Sequence, residues 1–384
     1  MRVMILGGDG YLGWPTALYF SARNHDVAVV DNFIKRKWEM ELGIEPLMPI
    51  NTLYRRLGLW ENLSNKKIPV FTGDLQDDTF TSEIIKKYAP DTIIHYAEQP
   101  SAPFSMMNQK RAIETQVNNV TGTINVMFAI KEFVPDCHLI KLGTMGEYGT
   151  PNIEIEEGFL EIEYKGRKDI LPYPKQPGSF YHLSKVHDSN NLLFACKVWD
   201  LRVTDLNQGI VYGIETDETK LCEGLNTSFH YDEIFGTVLN RFCVQAIYGV
   251  SLTVYGKGRQ VRGFLNIRDT LKCIELAALH PPAPGNFRVF NQFTEQFSIL
   301  ELAELVAGVA KEIGIKVKIN NIPNPRLELE EHFYKANNSS LLSLGLKPTL
   351  ISDELINSML RRIARHKNSV IENKILPSVQ WRCC

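Results

Sequence analysis

The sequence has little excess charge of either sign and no long hydrophobic run. Its 384 residues carry a formal net charge of −2, which provides no electrostatic attraction for nucleic acid or an anionic membrane. No stretch approaches the roughly 18 apolar residues that a membrane-spanning helix requires. We therefore expect neither a nucleic-acid partner nor insertion into a membrane.

The sequence also lacks the cysteine and histidine spacings of a metal site. Its seven cysteines are scattered and include no CxxC pair, so we expect reduced thiols rather than a disulfide framework. The first residues, MRVMILGGDG, enter a strand pattern directly, without a signal or transit segment. Together these features predict a cytoplasmic protein with no bound metal.

What the first half does contain is a regular alternation of short apolar runs and helical patterns. The expected strands span 2–6, 26–31, 69–74, 91–97, 137–144 and 201–207, and the expected helices span 10–23, 77–88, 108–133 and 178–199. Strands that are apolar on both faces are typical of a buried parallel sheet. The alternation predicts an α/β fold with a Rossmann-type, doubly wound parallel sheet.

Two segments interrupt this alternation. Residues 32–68 form a long insertion, which we expect to act as a lid or a subunit contact. After about residue 210 the pattern becomes irregular, with a short strand at 251–256 and helices at 299–313 and 351–366. We predict a Rossmann domain over 1–210 and a smaller mixed α/β substrate domain over 211–384, with some segments of the latter returning to the first sheet.

A glycine-rich turn directly follows the first strand. The stretch GGDGYLG contains Gly7, Gly10 and Gly13 and opens a helix, so that backbone N–H groups and the helix N-terminus can approach a pyrophosphate. Asp31 ends the second strand and would accept hydrogen bonds from ribose hydroxyls while repelling a 2′-phosphate. Although Arg36 is a basic residue of the kind that serves NADP, the pattern as a whole favours NAD.

The glycine spacing resembles that of the extended short-chain dehydrogenase/reductase family. Further motifs of that family follow in order: GDL at 73–75, NNVTGT at 118–123 and YHLSK at 181–185. The resemblance implies a set of NAD-contacting residues. They are Gly7, Asp9, Gly10, Tyr11, Leu12, Gly13, Asp31, Asn32, Arg36, Asp74, Leu75, Ala97, Asn118, Asn119, Tyr181, Lys185 and Val211.

The YHLSK motif supplies a candidate catalytic pair. Tyr181 and Lys185 are four residues apart on an expected helix and therefore share one face. A tyrosine with a pKa of roughly 10 is a poor base, but a lysine cation and a positive nicotinamide beside it favour the phenolate. Tyr181 can then remove a hydroxyl proton while hydride leaves the same carbon, and Thr144 would orient that hydroxyl.

The second half resembles the nucleotide-sugar branch of the same family. Asn207 matches an asparagine that meets the diphosphate, and VYGKGRQVRGFLNIRD at 254–269 matches a loop with a pyrimidine-flanking aromatic and a phosphate-binding arginine, Arg262. Arg326 is a candidate for a second phosphate contact. The implied substrate-binding residues are Gln99, Thr144, Tyr181, Asn207, Gln208, Tyr255, Gln260, Arg262 and Arg326.

One short segment departs from the branch. Sugar 4,6-dehydratases carry Thr-Asp-Glu where this chain has Thr144-Met145-Gly146, so the usual acid and base for elimination are missing. Glu147 and His182 are the candidates to replace them. We interpret the apolar Met145 as shaping room near C6 of the sugar for a different incoming group.

The segment from KLGTMGEYGTPNIEIEEG through NPRLELEEHFYKA to ILPSVQW resembles the sulfosugar-forming enzymes of this branch over essentially the full chain. That resemblance implies UDP-glucose and sulfite as substrates, with 4-keto and 4-keto-5,6-ene intermediates and an NAD that is regenerated in each turnover. It also implies a homodimer formed through the helices at 108–133 and 178–199. Sulfite would arrive either free or from a donor protein.

Two other functions remain open at this point. One is a UDP-sugar 4-epimerase or 4,6-dehydratase, which would use the same Tyr181 and Lys185 without sulfite. The other is a non-catalytic NAD-binding scaffold. Such proteins usually lose the tyrosine, the lysine or the glycine turn, and this chain keeps all three.

Overall fold

The computed structural model describes residues 1–326, 333–379 and 381. Its strands are β1 Arg2–Leu6, β2 Asp26–Asp31, β3 Val70–Thr72, β4 Thr92–His95, β5 His138–Thr144, β6 Phe159–Tyr164, β7 Arg167–Pro172, β8 Arg202–Gln208, β9 Ile210–Tyr212, β10 Leu252–Tyr255, β11 Val261–Asn266, β12 Phe287–Gln292, β13 Glu295–Ser298 and β14 Ile319–Ile322. Its helices are α1 Gly13–Ala22, α2 Ile34–Leu42, α3 Leu53–Ser64, α4 Asp78–Tyr88, α5 Ala102–Met106, α6 Gln109–Gln116, α7 Gly122–Phe133, α8 Phe180–Trp199, α9 Val238–Tyr248, α10 Ile267–Leu279, α11 Ile299–Glu312, α12 Ser339–Ser343 and α13 Asp353–Ala364.

Seven parallel strands form the central sheet, in the order β12-β8-β5-β4-β1-β2-β3. The Rossmann-type fold predicted from the sequence is confirmed, and the six expected strands lie within two residues of their expected bounds. The seventh strand, β12, comes from the second half of the chain and pairs with β8 from Phe287↔Val203 onward. A segment of the second half therefore returns to the sheet, while the domain boundary at 210 stays a prediction.

The sheet is buried on both faces. Along β1, Val3 and Ile5 pack with α1 and α10 on one side, whereas Met4 and Leu6 pack with α4, α7 and α8 on the other. Side chains of a strand alternate between faces, so a strand between two helical layers is apolar at every position. This explains why β1 reads as an unbroken apolar run.

The long expected helix at 108–133 is continuous but not uniform. It consists of α6, a π-helical turn at Val117–Thr121 and α7. The π turn contains Asn118 and Asn119 of the NNVTGT motif. Such turns are rare and are found mostly at functional sites, and this one faces the loop after β4.

The second half has its own apolar core. Helices α9, α11 and α13 pack together there, through residues such as Phe242, Leu302 and Leu360. Two small sheets, β13-β11-β9 and β10-β14, adjoin these helices. The antiparallel hairpin β6–β7 is exposed along much of its length and was not predicted from the sequence.

The insertion at 32–68 folds as α2 and α3 with an irregular link. Leu47 and Met48 of the link are buried in the core of the second half, and Trp60 of α3 donates its indole N–H to Ser21 Oγ at 2.9 Å. The insertion therefore joins the glycine-turn region to the second half. In the part of the chain that the structure describes, no helix is long and apolar enough to cross a membrane.

Candidate active site

A cavity of about 710 Å³ lies at the carboxyl ends of the central strands. Its wall is formed by the glycine turn after β1, the ends of β2, β4 and β5, the insertion, and residues after β8 and around β10–β11. In open α/β sheets, ligands bind at this edge, in the crevice where the helical connections of neighbouring strands run to opposite faces of the sheet. Most of the sequence-predicted cofactor and substrate residues line this one space, whereas Gln99, Asn119, Lys185 and Asn207 do not.

The glycine turn is shaped by close backbone contacts. A Cβ atom on Gly13 would lie 1.9 Å from the carbonyl oxygen of Gly7, and Gly7 itself has a φ of +86°. The Gly7 N–H donates to the carbonyl oxygen of Val30 at 2.8 Å. Together with Gly10, the turn offers a side-chain-free surface at the start of α1, which fits a dinucleotide pyrophosphate.

Asp31 lies at the end of β2, beside this turn. Its carboxylate accepts the backbone N–H groups of Asp9 at 2.8 Å and Phe33 at 2.7 Å. Burial raises the pKa of Asp31 to about 6 in spite of these hydrogen bonds. Asn32 donates to Asp74 at 3.0 Å, and both line the cavity. This arrangement fits the adenosine ribose that the sequence predicted.

Two arginines converge on Asp9 of the glycine turn. Arg36 donates through Nε and Nη2 to the two carboxylate oxygens, at 2.5 and 3.0 Å. Arg56, which is fully buried and lies over the ring of Trp14, pairs with the same carboxylate. Asp9 therefore forms an ion pair with Arg36, the basic residue of the kind that serves NADP. Arg56 was missed because its motif lies in the insertion and nothing local links it to the turn.

Thr144, Tyr181 and Lys185 come together at one end of the cavity. Thr144 ends β5, and the hydroxyl of Tyr181, in the first turn of α8, hydrogen-bonds with it. Lys185 Nζ donates to the carbonyl oxygen of Leu142 at 2.6 Å and lies 5.8 Å from the centre of the Tyr181 ring. The predicted catalytic residues therefore lie next to one another.

The pKa of Tyr181 is raised above its usual value. Burial is the main cause, and the negative charge of Glu98 raises the pKa further, while Lys141 and the hydrogen bond with Thr144 lower it. The surrounding protein thus keeps the phenol protonated. A further positive charge beside the ring would favour the phenolate, and this is what an oxidised nicotinamide supplies when it is bound.

Asn119 connects the catalytic helix to the loop after β4. Its side chain accepts the backbone N–H of Gln99 at 2.7 Å, donates to the Gln99 carbonyl at 3.2 Å and donates to Ser184 Oγ at 2.9 Å. Both Asn119 and Gln99 are fully buried. They lie behind the cavity wall and hold α8 in position from there.

Glu147 lies away from the cavity in a buried ionic cluster. It pairs with Lys175 and with Lys141 at 3.4 Å, and it accepts from Ser189 at 3.1 Å. Burial opposes its charge, but these cations hold the pKa of Glu147 well below its usual range. Its Oε1 also accepts the Thr144 N–H at 3.3 Å, completing a Thr-x-x-Glu capping box. That motif is visible in the sequence and indicates this structural arrangement.

Met145 and His182 occupy different surroundings. Met145 is buried in an apolar cluster with Tyr148 and Phe293, behind the cavity wall. His182 Nδ1 is 3.0 Å from Ser179 Oγ, and a Cβ atom on Gly146 would lie 2.3 Å from its Nε2. The imidazole therefore fills the space that a side chain at 146 would need, at the position where dehydratases carry glutamate.

The other end of the cavity is rich in arginine. The predicted substrate residues Tyr255, Gln260, Arg262 and Arg326 line it, whereas Gln208 lines the cavity beside Thr144, its partner in the β5–β8 pair. Arg241 of α9 also lines it, is buried, and lies 5.2 Å from the centre of the Tyr255 ring. Asn207 instead points behind the wall and donates to the hydroxyl of Tyr148 at 2.7 Å. Arg241 was missed because a single arginine in an amphipathic helix carries no signal by itself.

Comparison with known proteins assigns the chain. The family model described as "NAD dependent epimerase/dehydratase family" matches residues 3–291. Over 99% of the chain and 79% of the relative, 55% of residues are identical to the chloroplastic UDP-sulfoquinovose synthase of Spinacia oleracea. The chain belongs to the UDP-sulfoquinovose synthases. The synthase of Sulfolobus acidocaldarius is 40% identical over 100% of the chain and 98% of its own length.

Solved structures agree with this family in fold. The UDP-glucose 4-epimerase from Bifidobacterium longum, in complex with NAD⁺ and UDP, superposes with a TM-score of 0.70 at 19% identity, over 96% of this chain and 99% of the epimerase. Membership in the synthase family makes the chain an NAD-dependent enzyme that acts on a nucleotide sugar. The epimerase, dehydratase and scaffold alternatives are not favoured.

Proposed function

We propose that this enzyme converts UDP-glucose and sulfite into UDP-sulfoquinovose. The observation that carries the proposal is that Thr144 and Tyr181, with Lys185 beside the tyrosine ring, line the same cavity as the glycine turn. Similarity to the synthases of spinach and Sulfolobus supports the substrate pair. Bound NAD would take the hydride from C4 of the glucose unit and return it at the end of the cycle.

Tyr181 is the proposed base at the C4 hydroxyl. Thr144 holds that hydroxyl, and Lys185 supplies positive charge below the tyrosine ring. Oxidation at C4 makes the C5 proton acidic, so that water can leave from C6 and sulfite sulfur can add there. His182 is the proposed base at C5, because its imidazole takes the place of a side chain at 146, beside Thr144.

We assign Glu147 and Met145 supporting roles in this scheme. Glu147 is buried, charged and paired with Lys141 and Lys175, and it caps the turn that follows Thr144. Met145 packs in the apolar cluster beneath that turn. They set the position of Thr144 rather than contacting the sugar. The cavity near C6 is therefore shaped by Met145 only indirectly.

The arginine-rich end of the cavity is the proposed UDP site. Arg262 and Arg326 are the proposed phosphate ligands, joined by the buried Arg241, and Tyr255 is the proposed platform for the pyrimidine. Guanidinium groups match phosphate geometry with paired N–H donors.

The exposed surface of α6 to α8 supports the proposed homodimer. Large apolar side chains lie there unburied, including Ile113, Phe128, Phe194 and Val198. Large exposed apolar side chains on neighbouring helices favour a subunit interface there. Phe194→Glu should yield a monomer by light scattering, whereas Tyr164→Glu on the exposed hairpin should not. The cytoplasmic location and a sulfite-donating protein stay predictions.

One assay tests the function. The purified protein is incubated with UDP-glucose, with and without sulfite, and the products are identified by mass spectrometry. A sulfosugar nucleotide formed only with sulfite is the expected result. UDP-galactose or a 4-keto-6-deoxy sugar would contradict it, and so would the absence of any product from protein that retains NAD. Replacing His182 with Asn should reduce sulfosugar formation and leave binding of UDP unchanged.

A further inference from the structure

The loop after β4 carries a carboxylate that has no role in the scheme above. Glu98 follows β4 at the reaction end, and its side chain is 2% exposed. One carboxylate oxygen, Oε2, lies 2.6 Å from Lys185 Nζ. A charged group is rarely buried unless it is paired, and the lysine provides that pairing on one side only.

The carboxylate of Glu98 has no hydrogen bonds. Both of its oxygens are buried and neither has a hydrogen-bond partner among the described residues, and Glu98 is part of the cavity wall. A carboxylate can accept at both oxygens, and an acceptor that is left unsatisfied away from water is costly. The geometry therefore indicates a hydrogen-bond donor that belongs to a bound molecule.

Lys185 lies beside this carboxylate as a cation. Its ammonium group has three N–H donors; one is donated to the Leu142 carbonyl at 2.6 Å, and the Glu98 carboxylate lies 2.6 Å from Nζ as an ion pair. The Lys185 ammonium and the Glu98 carboxylate are an adjacent donor and acceptor. Two neighbouring hydroxyl groups of a sugar ring present the complementary pair, because one can accept while the other donates.

We propose that Glu98 is a ligand-binding residue whose Oε1 accepts a sugar hydroxyl while Oε2 holds Lys185 in place. The hydroxyl comes either from the ribose of the bound dinucleotide or from the glucose unit of the nucleotide sugar, since both carry adjacent hydroxyls. The proposal rests on the roles of Tyr181 and Lys185 given under the proposed function. The binding test of Glu98 requires no turnover, so this proposal and the proposed function can fail separately.

Glu98 also acts on Tyr181 through its charge. The groups that face Tyr181 are Glu98 after β4, Lys141 and Thr144 of β5, Glu147 after β5, and His182 and Lys185 of its own helix. Among them, the Glu98 carboxylate makes the largest contribution that raises the Tyr181 pKa after burial. A hydroxyl that donates to Glu98 weakens this effect, so ligand binding favours the phenolate.

The test compares Glu98→Gln with Asp188→Asn. Asp188 is also a buried carboxyl near Lys185, but it lies outside the cavity wall and burial raises its pKa well above the usual value. Calorimetric titration measures dissociation constants for NADH, UDP and UDP-glucose, and turnover is measured across pH. A hydrogen bond to a charged group corresponds to about 10- to 100-fold in affinity.

For Glu98→Gln we expect the dissociation constant of one sugar ligand to rise by about tenfold or more. Weaker NADH binding identifies the ribose, whereas weaker UDP-glucose binding with unchanged UDP binding identifies the glucose unit. The rise of turnover with pH should move about one unit lower, because the Tyr181 pKa falls. Asp188→Asn should leave the affinities and the pH profile at wild-type values.

Three results would overturn the proposal. The first is wild-type affinity of Glu98→Gln for all three ligands, whatever the pH profile shows. The second is a loss of affinity in Asp188→Asn equal to that in Glu98→Gln. The third is a Glu98→Asp variant that binds every ligand like the wild type, although its carboxylate is one methylene shorter. If Glu98→Gln fails to fold, Glu98→Asp replaces it as the test variant. It should keep the pH profile and lose part of the affinity.

Discussion

Two regions of the cavity are built in different ways: the glycine turn, here called the nucleotide end, and the catalytic residues, here called the reaction end. At the nucleotide end, the glycine turn, Asp31 and Arg36 lie within about thirty residues of one another in the chain, and their contacts are mutual. At the reaction end, Glu98, Thr144 and Lys185 arrive from three separate segments, and Glu98 and Lys185 are buried charged groups. The first end is a local motif, and the second exists only when the sheet has formed. The two ends should therefore fail independently.

Replacing Tyr181 with Phe should break the reaction end alone and have the largest effect. Loss of a general base typically lowers turnover by about 10²- to 10⁴-fold. The fold and the glycine turn are untouched, so NAD content per chain should equal that of the wild type. Sulfosugar formation and the absorbance of released cofactor measure the two quantities. Wild-type turnover would remove Tyr181 from its assigned role.

Replacing Glu147 with Gln should destabilise the reaction end without touching the cavity wall. Lys141 and Lys175 would lose a buried partner, which typically costs about 3–5 kcal/mol in the free energy of unfolding. The pKa of Glu147 is held below its unfolded value, so this stabilisation is present above pH of about 4.3 and is lost as the pH falls below that. Denaturant unfolding measures the loss, and the exposed Glu163→Gln is the matched control, expected within about 0.5 kcal/mol.

Replacing Gly13 with Ala should break the nucleotide end alone. The added methyl would overlap the Gly7 carbonyl oxygen, and overpacking of this kind costs about 1–3 kcal/mol in the free energy of unfolding. The turn must shift to relieve the overlap, so its backbone contacts with NAD should weaken and NAD affinity should fall. Gly308→Ala in α11 is the control, because its added methyl meets nothing within 4 Å. This variant should bind NAD normally. If both variants bind NAD alike, the turn is not a cofactor site.

The pH dependence of NAD binding should separate the two ends further. Asp31 has a pKa of about 6, and only its ionised form accepts two ribose hydroxyls. NAD affinity should therefore be constant above about pH 7 and fall by roughly tenfold per unit well below pH 6. Titration of Asp31→Asn should show weak binding with no such step. A step that persists in Asp31→Asn belongs to another group.

The smallest effect is expected at Met145. Met145→Leu conserves volume in the apolar cluster behind Thr144 and should cost less than about 1.5 kcal/mol, with sulfosugar formation retained. Met145→Asp would bury a charge there and should destabilise the protein by several kcal/mol. Thermal unfolding and product analysis measure both. A gain of 4-keto-6-deoxy sugar in a folded Met145→Asp would instead place this residue at C6.

Much of the fold could be predicted because its signals are local. The apolar strands, the glycine turn and the four-residue spacing of Tyr181 and Lys185 all report on neighbours in the chain. The capping box of Thr144 and Glu147 was equally local, but we interpreted Glu147 as a catalytic candidate rather than as a cap. Strand β12 and the exposed hairpin could not be predicted, since short segments of their kind are defined by the partners they meet.

The sequence by itself determined the sheet, the class of cofactor and the family, and it predicted Tyr181 and Lys185 as the catalytic pair, because each depends on residue types at short, fixed spacings. Only the tertiary structure decided which charges act at the site. It pairs Arg36 with Asp9, withdraws Glu147 into an ionic cluster, and brings Glu98 to Lys185 across 87 positions. Burial makes these pairings strong, and burial is a property of packing between segments that are remote in the chain.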